Sequence, residues 1–187
     1  MAELNLSQAT TTNFTGGVPD YIVKSKTLDA ITPNQEESYW YFSDAPKNYG
    51  YYFNIAEIYN AANALCTWAF SRGYKVDDPT LKVQLDHIKG IGNSSFNKIM
   101  WQHGVVKLIV GDAFIEVKRN EKDVILNMIP VSPERVRVVF TKSGLIKRYD
   151  IWTGSEWKPV KKENMLHSSN KQIADQQHGT SPVSYTQ

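Results

Sequence analysis

Leu108-Ile109-Val110-Gly111-Asp112-Ala113-Phe114-Ile115-Glu116-Val117 is the stretch that decides how this chain folds. Before it, Phe96, Ile99, Met100, His103 and Val110 recur near helical spacing. After the glycine, Ala113, Ile115 and Val117 alternate with Phe114, Glu116 and Lys118. The apolar period falls from about 3.6 residues to about 2 across Gly111-Asp112, so a helix ends and a strand begins there. Three further strands are predicted. Val124 to Ile129 follows the polar turn Asn120-Glu121-Lys122-Asp123, Arg135 to Phe140 follows Pro130 to Pro133, and Leu145 to Trp152 follows Lys142-Ser143-Gly144. The block Trp101 to Trp152 is therefore expected to hold the core.

Working outward, Ile55, Ile58, Ala62, Leu65 and Ala69 form an apolar stripe in steps of three and four, with Asn54 as N-cap and Arg72-Gly73 as the close. Asp78-Pro79 starts a second helix, on which Leu81, Leu85 and Ile88 share a face. Gly90-Ile91-Gly92 ends it, and a third helix runs from about Ser95 to Val110 with Gly104 inside it, marking close packing or a kink. On the third strand Val136, Val138 and Phe140 share one face with Arg135 and Arg137 opposite, as in a half-buried antiparallel strand. Trp157 to Val160 pairs back across the Thr153–Glu156 turn, and Met165-Leu166-His167 is a last short apolar stretch. The fold class is α+β: about three N-terminal helices, then an antiparallel β-meander. Residues 1–53 read as a flexible or extended N-terminal arm, 54–167 as the α+β domain, and 168–187 as a loop leading to a further helix. In the arm, Met1 to Thr15 is polar and aperiodic, Tyr21-Ile22-Val23 is a short strand or extended contact, and an aromatic cluster from Tyr39 to Phe53 either stacks bases or sugars or, as such clusters do more often, anchors the arm to its own domain or to a neighbouring subunit. Ser181-Pro182 has the form of a helix start, serine at the cap and proline in the first turn, which implies a longer parent chain.

Composition narrows the function. At 41% hydrophobic and 12% aromatic over 187 residues, the chain can bury a core and is not disordered by composition. No apolar run approaches the roughly 20 residues of a membrane span, and the first residues lack the basic and apolar regions of a secretory signal. One cysteine, Cys66, excludes an internal disulfide and a cysteine zinc cluster, and reads as a small buried residue on a helix. The net charge of +2 conceals an asymmetry: residues 1–45 carry −4 and residues 46–187 carry +6, while residues 135–171 hold nine basic and three acidic residues. Such a segment faces nucleic acid, a negative partner or solvent.

Chemistry is sparse. Neither an HExxH motif nor a histidine pair at helical metal spacing occurs among His87, His103, His167 and His178. His167, Asp175 and His178 would suit a divalent metal, and so a metal-dependent hydrolase, if the loop between them folds back. Gly90-Ile91-Gly92-Asn93 has half the form of a phosphate loop, but the residues before it read as helix where a dinucleotide fold needs a strand. A Cys66–histidine nucleophile pair is disfavoured by the apolar helix around the thiol. By elimination a structural or binding role is expected, with no catalytic residue and no cofactor.

Four phrases, in this order, resemble the portal proteins of long-tailed bacteriophages. They are the helix Ile55 to Arg72 with its exit Gly73-Tyr74-Lys75-Val76, the elbow Leu108 to Val117, the strand Ile129-Pro130-Val131-Ser132-Pro133-Glu134-Arg135-Val136-Arg137-Val138, and Met165-Leu166-His167 followed by Asp175 and Gly179-Thr180-Ser181-Pro182-Val183. Together they cover about Asn54 to Val183. The resemblance implies a homo-oligomeric ring, a dodecamer in the full-length protein, at one capsid vertex of a virion. The terminase, the capsid and the head-tail connector proteins would be its partners. Double-stranded DNA would pass through the ring without sequence-specific binding, during packaging and ejection. This chain would supply the wing, and the stem, clip and crown would follow the Gly-x-Ser-Pro word. No DNA-contact residue is carried over, and the basic face at Arg135, Arg137, Lys147 and Arg148 is expected on an inter-subunit or outer surface. The other reading is a different virion or mobile-element adaptor or binding module.

Overall fold

The structure, a computed structural model, describes residues 37–172, 176 and 178–185. It is α+β, with helices followed by antiparallel strands. In chain order the elements are β1 (Glu37–Tyr41), α1 (Ala45–Asn54), α2 (Ala56–Phe70), α3 (Pro79–Asp86), α4 (Phe96–Val110), β2 (Asp112–Arg119), β3 (Ile125–Val131), β4 (Val136–Thr141), β5 (Ile146–Trp152), β6 (Trp157–Lys161) and β7 (Met165–Ser169). The three expected helices and every expected strand from Gly111 onward are present. The expected Met1–Thr15 segment and the Tyr21–Val23 contact lie outside the described residues.

Residues 37–53 add two elements to these. β1 pairs antiparallel with β4, from Glu37 opposite Thr141 to Tyr41 opposite Arg137. α1 begins with Pro46 in its first turn and buries Ala45, Asn48 and Tyr52. The aromatic cluster is thus anchored to its own domain: Phe42 packs edge-on to Phe114, with ring centroids 5.3 Å apart. Asn54 ends α1 by donating to the Gly50 carbonyl (2.7 Å), and Ile55, in extended backbone, separates α1 from α2.

The strands after the elbow divide between two sheets, because the 3-10 turn Pro133–Arg135 carries the chain from one to the other. One sheet has the order β1-β4-β5-β6, and the other has the order β3-β2-β7. β2 is central in the second sheet and buried on both faces. Phe114 joins the main core with Val136, Val138, Ile151, Ala62 and Cys66. Ile115 and Val117, on the opposite face, join Ile88, Ile99 and Met128 in a smaller core beneath α4. Single-face alternation therefore understated the strand, since a strand between two layers buries both sets of side chains.

Two glycines show how tightly the helices pack. A methyl group on Gly104 would sit 2.6 Å from Phe70 Cε2 and 3.3 Å from Cys66 Sγ, so this glycine lets α4 approach α2 closely. Gly90, at φ +61°, gives its amide to Asn127 Oδ1 (2.8 Å) and accepts from Asn127 Nδ2 (3.0 Å). The Gly90–Asn93 turn is thereby clamped to β3, and its leading amide already has an acceptor inside the protein.

α2 departs from the predicted stripe. Its inward residues are Ala62 and Cys66, with Ile58 and Phe70 packed beside them, while Leu65 is 53% exposed. The helix is apolar on nearly every side, so periodicity alone did not select the buried face.

Candidate functional site

The polar groups of the molecule converge at the elbow. Gly111 closes α4 at φ +100° and ψ −28°, a left-handed conformation suited to glycine at a helix end. This turn directs Asp112, the first residue of β2, into the interior, where it is 0% exposed. Its carboxylate accepts from His167 Nε2 (2.8 Å) through Oδ1 and from the Gly179 amide (2.7 Å) through Oδ2. The Gly111 carbonyl accepts from the Asn170 amide (2.7 Å), and the Asn170 carbonyl accepts from the Thr180 amide (2.7 Å). Ser181 then donates its hydroxyl to the Ile109 carbonyl and accepts from the Val183 amide (3.1 Å). The Gly179–Pro182 word is stitched in this way to the end of α4 and the start of β2. Ser181 is the helix-start cap its position predicted, and a 3-10 turn, Pro182–Tyr185, follows it.

His167 sits at the centre of this clasp. Because Asp112 accepts at Nε2, that nitrogen carries the proton, and Nδ1 accepts from Tyr149 OH (3.2 Å). The ring stacks on Phe114 at 4.4 Å. Both nitrogens are thereby used within the fold, which leaves no lone pair directed toward a metal. His178 stacks on Trp40 (4.4 Å). Asp175, the third residue of the metal-site expectation, lies outside the described residues. Among the described residues no group of three potential ligands could hold a metal ion. Burial and the nearby Asp112 charge push the Tyr149 phenol up to about 12, so it remains a donor. Burial also pushes the Cys66 thiol up, as its apolar helix implied.

His103 reaches the same region from α4, pairing its Nε2 with Ser168 Oγ (2.6 Å), while Nδ1 has no hydrogen-bond partner among the described residues. Burial, then the charges of Lys107 and His167, lowers its pKa to about 4. Below the ordinary histidine range the unfolded chain binds a proton that the folded chain refuses. Stability is therefore full above about pH 6.5 and falls as pH drops toward 4, by up to about 3 kcal/mol. Urea midpoints measured at pH 7.5 and pH 4.5 should differ, and His103→Gln should reduce the difference. Equal midpoints in the wild-type protein would show that His103 is not buried neutral.

The basic strand face is the second polar feature. Asp150, 2% exposed, accepts from Arg137 Nε (2.9 Å) and Arg148 Nε (3.0 Å). Glu37 on β1 accepts from Arg148 (2.8 Å) and Lys147 (2.5 Å), hydrogen bonds that hold its carboxyl down at about 2. Arg135 donates twice to the Trp152 carbonyl, at 3.0 and 2.8 Å. The Arg137 guanidinium lies between the Tyr39 and Trp157 rings, 5.2 and 4.5 Å from their centroids. All four basic residues marked by the sequence thus have an acceptor within the chain, although Arg135 lies in the turn before β4 and Arg135 and Lys147 are exposed. Asp150 and Glu37, their counter-charges, were not singled out, because strand pairing rather than spacing brings them together.

No family model and no curated protein matches the chain. Solved structures do match. A chain in the virion of a native gene transfer agent (GTA) particle superposes with a TM-score of 0.62 at 16% identity, over 75% of this chain and 39% of that one. A chain in the neck of the native GTA particle, computed with C12 symmetry, gives 0.63 at 16% identity, over 77% and 40%. A chain in the neck of the empty particle, computed with C6 symmetry, gives 0.60 at 14% identity, over 76% and 40%. The chain shares their fold. It spans about two-fifths of the length of those chains. No helix among the described residues is long and apolar enough to cross a membrane.

Proposed function

We propose that this chain is a structural, non-enzymatic subunit of a phage-like virion, and more narrowly the wing portion of a portal ring. The observation that carries the reading is the fold shared with a neck chain solved under C12 symmetry. The order of the elbow, the Pro-x-x-Pro strand and the Gly-x-Ser-Pro word supports it, and the first and last of these build the joint between α4, β2 and the segment after Gly179. In this reading the stem, clip and crown belong to the rest of a longer parent chain. The ring supports the channel for DNA, and the terminase, capsid and head-tail connector proteins dock on it.

The electrostatics fit a passive channel component. A surface that grips phosphate offers uncompensated lysine and arginine, and its affinity falls steeply with salt. Here Arg135, Arg137, Lys147 and Arg148 are each held by Asp150, Glu37 or a backbone carbonyl, which reduces the positive charge they offer without cancelling it. Electron microscopy of the full-length gene product tests the reading. Rings of cyclic symmetry with a central hole are expected. Purified full-length protein that stays monomeric would sink it. So would tight, salt-sensitive DNA binding that Arg137→Ala abolishes.

A further inference from the structure

Helix α2 carries one charged side chain, Glu57, in fifteen residues. Away from the core run Glu57, Ala61, Ala64, Leu65 and Trp68, spaced as one face of a helix, and all five are exposed. Trp68 is 79% exposed. With about 150–250 Å² for an aromatic side chain when fully covered, Trp68 and Leu65 leave roughly 200–300 Å² of apolar surface on this stripe. That is a contiguous anchor for the centre of one side of a standard interface, about 800 Å² per partner.

A different surface lies over the same core. Val136, Val138 and Ile151 of the four-stranded sheet share one cluster with Ala62 and Cys66 of α2. The outer faces of that sheet and of α2 therefore both look away from one core, as two separate surfaces. The sheet's outer face bears Tyr39, Arg137, Arg148, Trp157 and Lys161. A cleft of about 410 Å³ opens there between Arg137, Arg148, Asp150, Trp157 and Pro159. Four cations (Arg137, Lys147, Arg148, Lys161) face two carboxylates (Glu37, Asp150), so the surface keeps a positive surplus. Glu57, on the α2 stripe, has no ion-pair partner among the described residues.

We propose that copies of this chain join head to tail, the outer stripe of α2 on one copy seating Trp68 in the Arg137–Trp157 cleft of the next. A two-fold dimer uses one patch twice, whereas a ring of many subunits needs two different patches. This molecule presents two that differ in chemistry, an apolar, singly acidic helix face and an aromatic, cationic cleft. An indole entering the cleft would pack on Trp157 and Pro159 beside the Arg148 side chain, with the Arg137 guanidinium already held by its two rings. The proposal rests on the ring reading above and assigns its contact surface.

Cysteine cross-linking in the full-length gene product tests it, with wild-type protein, including the buried Cys66, as background. Copies carrying Ala64→Cys are mixed with copies carrying Pro159→Cys, assembled and oxidised. A cross-linked dimer is expected in the mixture and in neither variant alone. Trp68→Ala, at a site exposed enough to leave the fold intact by circular dichroism, is expected to weaken association about a hundredfold. Rings by microscopy without the mixed cross-link, Ala64→Cys copies linking to one another, or unchanged association of Trp68→Ala would each overturn the interface and leave the ring reading standing. Full-length protein that forms no ring at any concentration would overturn both.

Discussion

Gly111→Ala is expected to lower stability by roughly 3 kcal/mol or more and to detach the segment from Gly179 to Val183. Two effects add. Alanine at φ +100° is strained by about 1–2 kcal/mol. Its Cβ would also stand 2.7 Å from the Gly179 carbonyl oxygen and 2.9 Å from the Ser181 nitrogen, both backbone atoms that move only if the clasp opens. The converse is built in as well, since a side chain on Gly179 would run into the Gly111 carbonyl and the backbone of Asn170. Gly50→Ala is the control. It lies inside α1 with open space around it, and there alanine should be neutral or stabilising by up to about 1 kcal/mol. Urea midpoints of the two variants make the comparison. A Gly111→Ala protein as stable as wild type would mean the close approach at the elbow is not real.

Asp112→Asn is the second large effect, expected at about 1–3 kcal/mol although the shape is almost unchanged. The carboxylate accepts from two N–H donors, one on each oxygen. An amide offers one acceptor; with that oxygen on the Gly179 amide, its NH2 group faces His167 Nε2, so His167 must move its proton to Nδ1 and the Tyr149 hydroxyl must accept where it donated. The site is fully buried, and water cannot replace the charge-assisted bonds that are lost. Amide hydrogen exchange at Gly179 and Thr180 should speed up in the variant, while exchange in the β4–β5 hairpin changes little. Unchanged protection at Gly179 would show that the Asp112 bond does not hold the segment.

These two residues mark how far the sequence could be read. The change of period at Gly111 located the bend because a left-handed helix cap and a strand start both leave local signatures. The turns between later strands were legible for the same reason. The role of Asp112 was not, since its partners His167 and Gly179 lie 55 and 67 residues away and neither spacing carries a pattern. The histidines invited a metal site on composition; of its three residues the structure shows His167 held by Asp112 and Tyr149, and Asp175 lies outside the described residues. The strand β1 was hidden because its partner β4 is about a hundred residues further on, and an edge strand rich in tyrosine and tryptophan has the same composition as an anchoring arm.

By itself, then, the sequence determined the order and type of the elements from Ile55 to His167, because backbone preferences and apolar period act over a few residues. It also determined that the basic strand would carry charge on one side. Only the tertiary structure decided which face of α2 is buried, how the strands divide between two sheets, and which acids neutralise Arg137 and Arg148. A helix apolar on nearly all sides is locally degenerate. What selects its inner face is the fit of Ala62 and Cys66 against Gly104 and the sheet, a property of volumes brought together from distant parts of the chain.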